Sequence, residues 1–178
     1  MKRAVRGFTL IELVIVFVVI SILAAIAIAR FADLRSNART AVIEQVAGGM
    51  RSLSGLVHAQ ALVNGTDTSD SFEYAGETIH LRGGYIRGHW NSAWRYAMDV
   101  GQDISFTAVS AECVKNDLCG VGNQRPSAVG LSSVTSGNEQ ATVIIWLMGD
   151  TISDDCFAYY YNRGTGIEPS IGSITTGC

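Results

Sequence analysis

Apolar positions crowd the N-terminal end of the chain and then thin into a periodic pattern. Residues 8–28, FTLIELVIVFVVISILAAIAI, hold a single charge, Glu12, in 21 positions. A helix of that length is about 31 Å long, enough to cross the hydrocarbon core of a bilayer. Lys2, Arg3 and Arg6 precede it and a mostly acidic chain follows, so the N-terminus is expected to stay in the cytoplasm and the remainder to be exported. A secretory signal peptide ends its apolar core after about 7–15 residues at a small-residue cleavage site, whereas here the helical pattern carries on. Leu34, Ala38, Ala41, Val42, Val46, Gly49, Leu53, Leu56 and Val63 recur largely at steps of three or four, the helical period. One helix of about 55 residues, roughly 80 Å, is expected to run from the membrane into a globular head.

Beyond Val63 the period changes. The turn-forming cluster NGTDTSD, with Gly65 as C-terminal cap, closes the helix. Phe72–Tyr74 and Thr78–Leu81 flank Ala75-Gly76-Glu77 as a short hairpin, and Asn91 is expected to cap a short helix over residues 92–99. Residues 141–147, ATVIIWL, are β-branched and aromatic between turn signals and predict a strand, as do residues 156–161, 171–176 and 104–109. The expected class is α+β, an antiparallel sheet laid on the amphipathic second half of the long helix.

Composition narrows the class of function. The 178 residues carry 13 Lys plus Arg against 16 Asp plus Glu, with 48% apolar side chains and 2 Pro. Length suits one ordered domain, and the apolar content excludes disorder and a collagen-like chain. Charged residues are 16% where a soluble domain has roughly 25%, which reflects the apolar run. No Lys/Arg cluster lies beyond the first few residues, so nucleic acid is not an expected partner.

Glu12 is the costly feature of the run. A carboxylate in mid-membrane costs about 2.5–3.5 kcal/mol, which calls for a partner. The alternative is an acid near enough to the interface to stay solvated, since Glu12 is only five residues into the run.

Gly7-Phe8-Thr9-Leu10-Ile11-Glu12, behind the short basic leader, resembles the class III signal of type IV prepilins and of the pseudopilins of type II secretion. The resemblance implies that a membrane-embedded prepilin peptidase cuts after Gly7 and N-methylates Phe8. It also implies that Glu12 attracts the new ammonium of a neighbouring subunit and so sets the assembly register, a pair of charges that mismatch would leave unsatisfied. RFADLRSNARTAVIEQVAGGMRSL and the C-terminal CFAYYYNRGTGIEPSIGSITTGC are most similar to pilins of the mannose-sensitive haemagglutinin (MSHA) type. Many such relatives carry proline and glycine where this chain has Ala29 and Ser21, so a locally melted core helix is less expected here. The implied organisation is a leader at 1–7, a membrane and filament-core half-helix at 8–30, and a head at 31–178. Within the head, 31–63 is amphipathic helix, 64–101 a connecting region, and 102–178 the sheet with a disulfide-closed C-terminal loop.

Cys113, Cys119, Cys156 and Cys178 all lie in the exported part, an even count that suits two disulfides in any of three pairings. Resemblance favours Cys156 with Cys178, a loop whose closure is worth roughly 3 kcal/mol, and leaves Cys113 with Cys119. Without a C-x-x-C, a zinc site is disfavoured. His58, His80 and His89 stand apart from any G-x-S-x-G or H-E-x-x-H, and no catalytic activity is expected. Asp150, Asp154 and Asp155, with Ser153, have the composition of a calcium loop, as the major pseudopilins resembled here bind calcium in their heads. EF-hand spacing is absent, and a solvated loop is the default. Tyr159–Tyr161 with Trp90, Trp94 and Trp146 invite a carbohydrate-stacking reading, against which alternation places at least one tyrosine in the core.

The resulting expectation is a structural pilus subunit without cofactor, located in the inner membrane and then in a surface pilus. Its implied partners are other copies of itself, the peptidase, an assembly platform with its ATPase, and a surface glycan receptor. Removing residues 1–7 takes away three bases and leaves 10 against 16 acids. A type II secretion pseudopilin is the alternative, and a membrane-tethered periplasmic enzyme or binding protein is the reading from another class.

Overall fold

The structure, a computed structural model, describes residues 8–164 and 166–178; the leader lies outside the described residues, as does the side chain of Ala29. Helix α1 spans Leu10–Val63. The chain divides into two compact units, Met1–Ala38 and Arg39–Cys178, so that α1 contributes its first part to one and its second part to the other. In the first unit, the described side chains are exposed almost throughout.

The second unit has an α+β architecture. Two strands, β1 (Ser71–Tyr74) and β2 (Glu77–Arg82), form an antiparallel hairpin, joined by the short β3 (Tyr85–Ile86). The hairpin turn is Ala75-Gly76 with both φ positive, 52° and 85°, the handedness that matches strand twist. A five-stranded sheet follows in the order β4 (Ile104–Phe106), β5 (Leu118–Gln124), β6 (Thr142–Leu147), β7 (Phe157–Tyr161) and β8 (Ser170–Ile174). The pairs β5–β6, β6–β7 and β7–β8 are antiparallel. Strand β4 runs parallel to β5, so the expected all-antiparallel sheet holds for four of the strands only.

Both faces of the sheet are covered, which explains why β6 and β7 are buried at nearly every position rather than at alternate ones. Val143, Ile145, Ala158 and Tyr160 face Ile43, Val46, Ala47, Met50 and Val57 of α1 in one apolar cluster. The intervening residues Ile144, Trp146, Phe157 and Tyr159 pack with Val121, Val129, Leu131 and Ile152 in a second. Alternation thus sorts each strand between two cores.

The expected helix over 92–99 is replaced by a π-helical turn, Trp90–Trp94, leading into one α-turn, α2 (Arg95–Ala97). Asn91 lies inside the π-turn, and the cap position is His89, whose side chain makes no capping bond. The cause lies beneath it. Trp90 is seated on β5, where a Cβ at Gly120 would come within 2.5 Å of its ring and one at Gly122 within 2.2 Å of its backbone nitrogen. Only glycine leaves room for the tryptophan there. A bulge between Val121 and Gln124 then turns Asn123 so that its N–H donates to Gly88 O at 2.8 Å.

Two buried polar side chains fasten the small hairpin to the large sheet. The Tyr160 hydroxyl donates to Ile86 O at 2.6 Å, and Asn162 Nδ2 donates to Arg82 O and Ile86 O, both at 3.0 Å. Burial pushes the Tyr160 phenol well above its ordinary pKa, so it remains a donor at any physiological pH. Gly164 N–H donates back to Asn162 Oδ1 at 2.7 Å. Disulfides join Cys113 to Cys119 and Cys156 to Cys178, the second closing the C-terminal loop over β8.

Substituting Gly120→Ala should push Trp90 off the sheet and cost about 1–3 kcal/mol. Denaturant unfolding of the micelle-solubilised chain, followed by tryptophan fluorescence, should show an earlier midpoint, whereas an unshifted midpoint would contradict this packing.

Candidate functional site

Of the residues the sequence singles out, Glu12 lies in the first turn of α1 and Phe8 just ahead of it. Thr9 Oγ1 accepts from the Glu12 N–H at 3.3 Å, while Glu12 Oε2 accepts from Thr9 N–H at 2.9 Å and from Thr9 Oγ1 at 2.8 Å. This reciprocal pattern is a capping box, which satisfies two backbone donors that a helix start otherwise leaves open. It holds the Glu12 carboxylate at the helix N-terminus, where the helix dipole favours a negative charge. Two bonds occupy only part of a carboxylate's acceptor capacity, so the group can still receive an external cation. Phe8 is 85% exposed. Gly7 lies outside the described residues. Thr9, which the sequence analysis does not single out, is the partner that holds Glu12, and T-x-x-E ahead of an apolar run is a readable signal of it.

After this start α1 is apolar around its whole circumference as far as Ile28. Among the described residues, an 18-residue stretch of α1 is strongly apolar and unburied, and Leu10, Ile11, Phe17, Ile22 and Leu23 are all exposed. By length and composition it can cross a membrane. Helix α1 is unbroken through Ser21 and residue 29. The Ser21 hydroxyl donates to Phe17 O at 2.7 Å, which removes its polarity from the apolar surface without breaking the helix.

The other candidates are absorbed by the head. The Asp150 carboxylate forms a salt bridge with Arg39 of α1. Asp154 closes a second capping box, its Oδ2 accepting from Thr151 N–H at 2.7 Å and Thr151 Oγ1 at 2.9 Å. Those bonds, the backbone one first, hold its carboxyl below the ordinary 3.8. Asp155 ends that turn with φ 54°. Among the described residues no group of three or more His, Cys, Asp or Glu converges as for a metal. His58 stacks on Tyr85 with ring centroids 3.9 Å apart and its Nδ1 lies 2.9 Å from Gly84 O. His80 is on β2, and His89 has its pKa lowered by burial, then by Arg87 and His80. The carbohydrate-stacking reading of the six aromatic residues fails on burial: Trp90, Trp94, Trp146 and Tyr159–Tyr161 are all core.

Glu139 shows how the exposed 136–139 loop is tied down. The Tyr161 hydroxyl bonds its carboxylate, and Arg163 Nη1 donates to Ser136 Oγ at 2.6 Å. The tyrosine first, and more weakly Arg82 and Arg163, hold the Glu139 carboxyl below the ordinary 4.5.

Residues 2–28 match the family model "Prokaryotic N-terminal methylation motif". The chain is also similar to the "Type IV narrow pilus major component PilA5" of Thermus thermophilus. The two are 48% identical over 56 residues, which is 32% of this chain and 48% of that protein; the match thus spans about half of the relative's length. No solved structure matches the chain. The long N-terminal helix, the sheet and the disulfide-bonded C-terminal pair are consistent with the α+β fold of type IV pilins.

Two outcomes are expected. Thr9→Val removes both roles of the hydroxyl and should lower amide-exchange protection at Glu12 and Leu13 by about fivefold in micelles, while Thr9→Ser should keep it. A depressed carboxylate contributes stability that is complete above its unfolded value and is lost as pH falls through the folded one. The loop contact of Glu139 should therefore weaken as pH drops below about 4.5. A carboxyl-carbon NMR titration of Tyr161→Phe should find Glu139 returned toward that ordinary value.

Proposed function

We propose that this chain is a structural subunit, the major one, of a type IV pilus of the MSHA-like kind. The observation that carries the reading is the Gly7-Phe8 motif directly ahead of a helix whose apolar residues 10–28 are largely exposed among the described residues. The motif match and the likeness to a major pilus component support a pilus subunit. A membrane-anchored precursor and a surface pilus are consistent with the apolar helix. In this reading the prepilin peptidase cuts between Gly7 and Phe8 and methylates the Phe8 amine. An assembly platform and its ATPase then draw the helix from lipid into a bundle of identical helices, where van der Waals packing replaces the bilayer.

Charge selects the register. Cleavage leaves an ammonium on Phe8, and the Glu12 carboxylate of a neighbouring subunit is its complement; in a low-dielectric core both are costly unless they meet. The capping box keeps the carboxylate at one fixed place until then. The subunit itself catalyses nothing, and the filament serves adhesion or a related pilus function. A type II secretion pseudopilin would share the motif and helix. A calcium site would favour it; of the three acids that would build one, Asp150 is engaged by Arg39 and Asp154 by Thr151.

Intact mass and N-terminal analysis of material sheared from cells tests this. The expected product begins at Phe8, is one methyl group heavier than its sequence, and is abundant in the sheared fraction. The same product confined to the envelope would favour the pseudopilin, and an intact Met1 leader would overturn the reading.

A further inference from the structure

Beyond its first residues the sequence holds no run of bases, yet the fold assembles a basic cluster from distant positions. Arg82 ends β2, Arg125 follows β5, and Arg163 lies just past β7. All three converge on the exposed loop 136–139. Arg125 Nη1 donates to Asn138 O at 3.3 Å, and Arg163 Nη1 to Ser136 Oγ at 2.6 Å. Arg82 lies against Gly164, next in sequence to Arg163. The charges of Arg82 and Arg163 both act on the Glu139 carboxylate.

Two glycines in the left-handed region make room for these side chains. At Gly164, φ 80°, a Cβ would come within 2.4 Å of Arg82 Nε. At Gly137, φ 114°, one would meet Tyr161 Oη at 2.6 Å, Glu139 Oε2 at 2.7 Å and Arg163 Cδ at 3.1 Å. Glycine adopts such a backbone freely and leaves the space open. Arg82 and Arg163 are thereby half-buried and held, while Arg125 is exposed. Side chains fixed in this way lower the ordering cost of binding. A guanidinium has five N–H donors, and the bonds to the loop use one each on Arg125 and Arg163, so further donors remain for a ligand.

Glu139 defines the class of ligand. One carboxylate stands among three guanidiniums, in a chain whose residues after the leader hold 10 bases against 16 acids, so the cluster runs against the overall charge. An external anion competes with the single charge of Glu139. A phosphomonoester carries about 1.5–2 negative charges at neutral pH and exceeds it, whereas a sulfate ester or a carboxylate only equals it. Planar guanidinium forks also match phosphate oxygens in pairs. Three arginines are too few for the backbone of a nucleic acid, where binders contact about 6–10 phosphates. We propose that Arg82, Arg125 and Arg163 form a binding site for a terminal phosphate group, with Glu139 as the internal carboxylate that the phosphate displaces. These residues all belong to the Arg39–Cys178 unit, and the site stands independently of filament assembly.

Calorimetric titration of the full chain in maltoside micelles, which carry neither charge nor phosphate, provides the test. The probes are glycerol 3-phosphate as a soluble phosphomonoester and phosphatidic acid mixed into the micelles as a lipid-borne one. Methyl sulfate and a short DNA duplex serve as comparisons. Saturable binding of at least one phosphomonoester is expected at about 0.1–1 mM, and the tighter of the two identifies the source. Arg125→Gln and Arg163→Gln should each weaken it about tenfold, while Arg95→Gln, exposed and outside the cluster, should leave it unchanged. Glu139→Gln should tighten it about threefold by removing the competing carboxylate. Circular dichroism and tryptophan emission verify folding, and the exposed Arg125 keeps the test decisive if Arg163→Gln does not fold. Absence of saturable binding of both phosphomonoesters, affinity unaltered in folded Arg125→Gln or in Glu139→Gln, or an equal loss in Arg95→Gln would overturn the proposal. So would methyl sulfate binding as tightly, or the duplex binding more tightly per phosphate.

Discussion

Residues 8–28 impose a demand that no burial within their own described unit meets. Apolar side chains around the whole circumference of a helix must leave water, and each large one fully buried is worth about 1.5–3 kcal/mol. Within their own unit Leu10, Ile11, Phe17, Ile22, Leu23 and Ile26 are exposed. A bilayer or a set of identical helices can supply the missing contacts, and each is a chemically sufficient answer. Movement between the two is therefore not opposed by a large hydrophobic penalty, because lipid tails are as apolar as the helix itself.

Given that near-balance, polar groups within the run acquire disproportionate weight. Ser21 hides its hydroxyl against Phe17 O. Glu12 cannot hide, and the capping box with Thr9 only moderates its cost by giving it two donors and a favourable dipole. A remaining unpaired charge discriminates between arrangements that packing alone would leave nearly equal. The head answers a separate need: its two apolar clusters, its buried Tyr160 and Asn162 and its two disulfides form a unit with its own core.

Much of this was legible in the residues because periodicity reports burial directly. The run of 8–28, the helical repeat to Val63, and the strands at 142–147 and 157–161 all announce themselves by pattern. Strand β5 did not. Its sequence LCGVGNQ contains two glycines that local propensity counts against a strand, yet they are required by Trp90 above them, a reason visible only in three dimensions. The same contact replaces the expected Asn91-capped helix with a π-turn. Asp150 and Asp154 show the converse limit: clustered acids suggest a cation, but Arg39, more than a hundred positions earlier, and the adjoining Thr151 already engage them. The tyrosines and tryptophans were ambiguous for want of one fact, that both faces of the sheet are covered.

The central claim is that a carboxylate at the start of the otherwise apolar run 8–28 serves a cation on a neighbouring copy. It is tested most directly by quantifying sheared filament and membrane-inserted precursor in the same cells, with Glu12→Ala as the only copy. The account predicts precursor at the normal level and filament reduced about tenfold or more, because removing the anion leaves the partner ammonium unpaired in an apolar core. Normal filament yield from Glu12→Ala would contradict it.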